Sequence, residues 1–363
     1  MSETLAPPRR PVPGRATPRG ALAVRLFGER FSLLVRPRTV LVCLVLVVVS
    51  ALTLAVTVTV GDYAIPLEAV PGAILGYGER LDVFFVQGVR LPRALTAIGV
   101  GAALGIAGAV FQSLSRNALG SPDIIGFTSG AATGAVLVIL VLGAGRLAVS
   151  LGAIAGGLAT AAIVYLLAMK NGVQGYRLVL VGIGVSAMLG SVRDYLLTRA
   201  ELTDALGAQI WMIGSLNARG WAEVAAVWIS LAVLAPVLIA LGQRLRFMEL
   251  GDDTAQGLGV STRSTQILAL AAASALTGAA IAVAGPVGFV ALAAPQIARR
   301  LTRTGGTTLV GSALMGATLL VVADLVALRA LAPTQLPVGV VTAVIGGSYL
   351  IWLLYTEWRG GRA

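Results

Sequence analysis

An all-α fold that crosses a membrane about ten times is what this sequence predicts, and three observations carry the prediction. Of the 363 residues, 57% are hydrophobic and only 12% are charged, too little polar surface to coat soluble domains of that length. Apolar runs of about 20 residues recur along the chain, long enough to cross a hydrocarbon layer of about 30 Å. The 45 glycines sit largely among alanines inside those runs, as suits helices that pack backbone to backbone where lipid removes the hydrophobic drive between them.

Taken in order, the predicted segments are residues 39–60, 94–115, 124–143, 147–169, 178–198, 221–242, 267–285, 286–298, 307–328 and 335–355. Ahead of them, residues 1–38 hold eight arginines with little apolar periodicity and read as a disordered, solvated tail rather than a signal peptide. Residues 39–357 form the membrane domain, and residues 358–363 a second short tail. The second segment carries Gly101, Gly105 and Gly108 on one face, a seam for close helix approach. Similar seams occur at Gly152, Gly156 and Gly157, at Gly182 and Gly184, and at Gly311 and Gly316. The eighth segment is too short to span alone. Gly285 and Pro286 separate it from the seventh, as in a broken helix buried among others. With the arginine-rich head placed inside, most basic residues fall on the inner side, so both termini are expected in the cytoplasm and the chain in the cell membrane.

The absences are as informative. There is no histidine, and the one cysteine, Cys43, lies in the first apolar run; neither a disulfide framework nor a His/Cys metal site can be assembled, and no cofactor is expected. The only lysine, Lys170, is followed by Asn171, which rules out the Gly-x-x-x-x-Gly-Lys-Ser/Thr phosphate loop. If ATP drives this protein, another chain binds it. The net charge of +11 is scattered through short loops with no soluble domain to form a groove, so nucleic acid is not an expected partner.

The longest internal polar stretch, residues 243–266, reads as two very short helices. Asp252 or Asp253 would cap a helix starting near Thr254, and Gly257 and Gly259 would supply the exit. Helices this short are marginal in water, so a docking partner is implied. Here the sequence resembles the iron-chelate and cobalamin permease family of bacterial ABC importers, through Glu249, Gly251, Asp252, Asp253, Ala255, Leu258, Gly259 and Val260. In that family this loop forms the coupling helices that sit in a cleft of the ATPase. Residues 111–127, 209–217 and 335–342 resemble the family as well, and the likeness covers nearly everything after residue 39.

The resemblance gives further residues their expected roles. Arg90 and Arg93, in an Arg-Leu-Pro-Arg motif, would receive acidic residues from the two lobes of an extracytoplasmic binding protein; arginine's planar fork suits carboxylates. Asn117, Pro122 and Asp123 would form a tight inner-face turn, with Ala118 where the family has proline. Pro295 and Gln296 fall in a segment where the family has Pro-His; glutamine keeps hydrogen bonding but cannot titrate, which favours a structural role. Asp324 is expected to pair inside the bundle. Arg193, Asp194 and Glu223 are further charges within or beside apolar runs.

The function this implies is one membrane subunit of an importer for a ferric siderophore, enterobactin-like by the resemblance, with haem, cobalamin or another iron chelate as alternatives. Its partners would be an ATPase dimer, a second permease subunit, a siderophore-binding protein and the bilayer. Two other classes compete: an ion-driven secondary transporter coupled through Asp194 and Asp324, and an intramembrane aspartyl enzyme using the same pair.

Overall fold

The computed structural model describes residues 22–26, 31–61, 63–168, 175–332 and 334–360. Lys170, Asn171 and residues 1–21 lie outside the described residues. Within the stretch read as a tail, β1 (Leu22–Leu26) and β2 (Phe31–Val35) pair as an antiparallel hairpin, with Leu22 opposite Val35. Every other element is helical. Among the described residues, seven helices are long and apolar enough to cross a membrane, and two shorter apolar helices, Phe127–Leu142 and Val338–Leu353, join them.

The bundle is organised around one helix. Helices α1 (Pro37–Thr59), α2 (Val70–Ile74) and α3 (Arg80–Val83) lead to α4 (Leu91–Ser115). A π-helical turn at Phe84–Arg90 fuses α3 to α4, making one helix of 36 residues. Proline explains the turn: Pro92 has no N–H to give back to Gly88, and its ring would crowd that carbonyl. The chain widens instead, and the Leu91 N–H reaches Val86 O, five residues back. The most apolar window of this fused helix is 83% buried, against 11% for α1.

Small residues make the burial possible. A Cβ on Gly101 would lie 2.3 Å from Gly316 O, and one on Gly105 would lie 2.1 Å from Ser312 O; α4 and α13 (Leu309–Arg329) therefore touch backbone to backbone. The predicted seam is thus a contact surface, with Gly316 as its counterpart. A second seam joins α5 (Phe127–Leu137) to α6 (Arg146–Ala168) across a short turn, through Gly130, Gly134, Gly152 and Gly156.

After α7 (Gly175–Arg199) the structure adds an element outside the predicted segments, α8 (Leu202–Ile213). Then come α9 (Trp221–Glu249), α10 (Asp252–Gly257) and α11 (Thr262–Ala284). The expected break after Ala284 is present: residues 285–289 are irregular, and the half-length α12 (Val290–Thr302) follows. Gly108 lies under the start of α12, where an added Cβ would meet Ala291 O at 1.7 Å. Pro295 is four residues beyond Ala291 and cannot donate to that carbonyl, so the missing helical bond is what leaves Ala291 O against the α4 backbone. The last described element is α14 (Val338–Gly360).

Candidate functional site

Two ends of the bundle collect the polar residues. At the first, α9 continues to Glu249 as regular helix and α11 begins at Thr262, so only one short helix, α10, occupies residues 243–266. The expectation of two is corrected: Gln243 to Glu249 carries on the good helix formers of α9 with no breaker before Gly251. Nor does an aspartate side chain cap α10. Helix begins at Asp252, and the residue before it, Gly251, takes φ +119° to turn the chain without a side-chain bond. Gly259 turns it out again at φ +81°.

This short helix is held on one face and bare on the other. Ala255 is fully buried in a small cluster with Met248 and Val260, backed by Leu114 and Phe247. Asp252 pairs with Arg116, whose Nε also donates to Met248 O at 2.9 Å. Arg116 sits at the end of α4 in the left-handed region, φ 49°, which aims its side chain sideways at α10. The carboxylate of Glu249 accepts the Thr307 hydroxyl from the α12–α13 connection. Facing outward are Asp253, Leu250 at 67% exposure and Leu258 at 57%.

Beside α10 lies the turn after α4. The Leu119 N–H donates to Asn117 Oδ1 at 2.9 Å, and Gly120 N–H to Asn117 O at 2.9 Å. The turn closes with Ala118 in the place of proline, because the asparagine side chain mimics a backbone turn. Pro122 O accepts from Phe127 N–H at 3.0 Å, starting α5, and Thr128 donates to Asp123 at 2.6 Å. Gln296 ties this turn to the core: its Nε2 donates to Ala118 O at 2.9 Å and to Gln112 Oε1 at 2.8 Å. Gln112 accepts Arg299 as well, at 3.0 Å, and donates to Leu292 O. Every contact of Gln296 here is a fixed hydrogen bond, which needs no titratable group.

At the opposite end the two arginines expected to meet a partner are turned inward. Arg93 is 8% exposed and forks onto Asp324, 1% exposed, at 2.8 and 2.9 Å, with Gln335 Oε1 at 3.3 Å. Arg90 donates to Val58 O at 2.7 Å and to Tyr63 O, with its guanidinium 5.6 Å from the Phe85 ring centre. The carboxylate that Arg93 meets lies on α13, 231 residues away, where nothing local announces it. Both arginines nonetheless line a cavity of about 610 Å³ together with Arg329 and Asn217.

Residues 209–217, the break at Gly285 and Pro286, and residues 335–342 meet at this end. Ser215 N–H donates to Ala284 O at 2.8 Å and Gly339 N–H to Gly214 O at 3.2 Å, and a Cβ on Gly214 would strike Pro286 O. Arg193 donates to Ser129 O at 3.0 Å, while Asp194 is exposed on α7. Glu223 accepts from Arg146 at 3.2 Å and from Gly220 N–H at 2.9 Å. Sequence reading missed Gln112, Arg116, Arg299 and Thr307. Arg116 had a signal, since it stands directly before the Asn117 turn.

A family model described as the FecCD transport family matches residues 43–356. The chain belongs to that family. It is 45% identical over 326 residues to the ferric enterobactin transport system permease protein FepG of Escherichia coli K12, covering 89% of this chain and 98% of that one. It is 36% identical over 324 residues to the Fe(3+)-citrate import system permease protein YfmE of Bacillus subtilis 168, covering 89% and 97%. A solved chain described as an inward-facing metal-chelate type ABC transporter superposes with a TM-score of 0.77 at 27% identity, over 87% of this chain and 99% of that one. As a FecCD member the chain is a multi-pass ABC-importer permease, a transport component rather than an enzyme.

Proposed function

We propose that this permease imports a ferric siderophore, enterobactin-like, driven by a separate ATPase dimer that engages α10. The observation that carries this reading is the two-sided construction of α10: one face tied to α4 and α9 through Arg116, Ala255 and Met248, the other presenting Asp253, Leu250 and Leu258 to solvent. A rigid short helix with bare apolar residues is a docking element, and the chain carries no phosphate loop of its own. The α10 end then faces the cytoplasm, a placement that the distribution of arginines supports.

Closure of the ATPases would push α10, and Arg116 would pass the displacement to α4, the helix around which α9, α11, α12 and α13 pack. A second permease, identical or a sister chain, would cover α7. That helix is 11% buried over its most apolar window and exposes Asp194, a charge too costly to leave against lipid. At the α8 end, a binding protein would land over the cavity lined by Arg90, Arg93 and Arg329. The bidentate Arg93–Asp324 pair argues against Asp324 as an ion-coupling carboxylate, which would have to be free to exchange protons.

Reconstitution with ATPase and binding protein tests the reading. ATP-dependent uptake of a ferric catecholate should be lost on joint replacement of Asp252, Asp253 and Gly259. Unaltered uptake, or uptake that continues without ATPase and collapses with the proton gradient, would contradict it.

A further inference from the structure

A second cavity at the α8 end, of about 480 Å³, is lined by Arg146 and Arg219 together with Trp211, Ile210, Ser150 and Asn217. Asn217 also lines the cavity that holds Arg90 and Arg93, so the two hollows lie on either side of the connection between α8 and α9. We propose that Arg146 and Arg219 form an anion-recognition site for the cargo, selecting negatively charged iron chelates over neutral ones. This rests on the importer reading and adds the residues that would tell an anionic chelate from a neutral one.

Three features of the site ask for an anion. Arg146 is the first residue of α6, a position where the helix dipole is already positive, and no acidic residue lies in that first turn. Glu223 offsets that charge only in part, and the Arg146 side chain stays 63% exposed, open to a further anion. Arg219 faces the same hollow, and its Nε and Nη2 donate to Ser215 O at 3.3 and 3.2 Å. Burial first, and the charge of Arg146 second, pull its affinity for its proton below the ordinary arginine value. Against these two guanidinium groups the structure sets one carboxylate, Glu223, already shared between Arg146 and the Gly220 N–H. One positive charge is left over, in a hollow whose other walls include an indole ring and an isoleucine.

That combination fits an amphipathic anion with an aromatic or flat apolar part. Three catecholates around Fe(III) supply more negative charge than the metal cancels and leave a net anion, with oxygen pairs that match the guanidinium fork. Three hydroxamates leave a neutral complex with nothing for the extra charge to hold. An anionic lipid headgroup shares the charge but not the position: the site adjoins the cavity where cargo would be delivered.

The test uses the reconstituted complex in nanodiscs, measuring binding by quenching of tryptophan fluorescence with a ferric tris-catecholate and a ferric tris-hydroxamate as probes. Replacing Arg146→Ala and Arg219→Gln together should weaken the catecholate about tenfold, the equivalent of one charge-assisted contact, and leave the hydroxamate within about twofold. Glu223→Gln should move the catecholate the other way, to tighter binding, a gain that misfolding cannot produce. Equal losses for both probes, or no change in either variant, would overturn the proposal. So would a loss seen only when the disc contains phosphatidylglycerol, which would make a lipid the ligand. ATP-driven uptake by the unaltered complex is measured in parallel. If that is absent, the importer reading falls and this inference with it; if uptake is normal and the variants bind as before, only the inference falls.

Discussion

The two ends of the bundle treat charge in opposite ways. At the α10 end the ion pair is half-open: Arg116 and Asp252 are 43% and 33% exposed, and apolar side chains stand in solvent beside them. At the α8 end the Arg93–Asp324 pair is sealed, both partners buried, and Arg90, Arg329, Arg146 and Arg219 line hollows. An exposed pair adds little to stability, about 0–1 kcal/mol, whereas breaking a buried one strands a charge. The contrast teaches that the same residue types sit in different settings: Arg93 holds α4 against α13 from inside the bundle, while Arg116 ties the half-open α10 to the end of α4.

The largest effect that would break this comparison is at the sealed pair. Arg93→Ala or Asp324→Ala alone should destabilise by about 3–5 kcal/mol, read from unfolding in mixed micelles. Replacing both with apolar residues of similar volume should recover most of that loss. A double variant whose loss equals the sum of the two single losses would mean that the charges are not coupled.

Next in size is the seam. Gly105→Leu forces α4 away from Ser312 O and should cost at least about 1–3 kcal/mol. The control is Gly184→Leu on α7, where an added Cβ meets nothing within 4 Å; it should be nearly neutral on folding. Gln296→Leu comes third: it leaves Ala118 O without its donor and weakens the tie to Gln112, for about 1–3 kcal/mol. Gln296→His, which restores one donor, should lose less, and transport by it should show no new pH dependence.

The smallest change in stability, and the sharpest contrast, is expected at Arg116. Arg116→Gln should shift unfolding by no more than about 1 kcal/mol, yet ATP-driven uptake should fall about tenfold, a loss of about 1.4 kcal/mol of coupling. A large loss of stability there would erase the difference between the two ends.

Much of this was readable in the sequence. The long apolar runs marked α1, α4, α6, α7, α9, α11 and α13, and the glycines at positions 101, 105 and 108 marked a real contact face. Pro286 marked the break before α12. What was hidden has physical reasons. Helix α8 is 12 residues long, too short to register as a span. The number of short helices at residues 243–266 was misread because α9 and α11 extend past their apolar stretches, and polarity alone does not end a helix. The inward turn of Arg90 and Arg93 depends on partners distant in the chain, which no local pattern encodes.

The central claim, that α10 is the element an ATPase engages, is tested most directly by cross-linking. Cys43 is the only cysteine in the chain, so Cys43→Ser gives a clean background for Leu258→Cys. In the assembled importer this cysteine should cross-link to the ATPase, be shielded from a water-soluble maleimide, and change in cross-linking yield when ATP is hydrolysed. A residue 258 that stays fully reactive to maleimide and joins no other chain throughout the cycle would contradict the account.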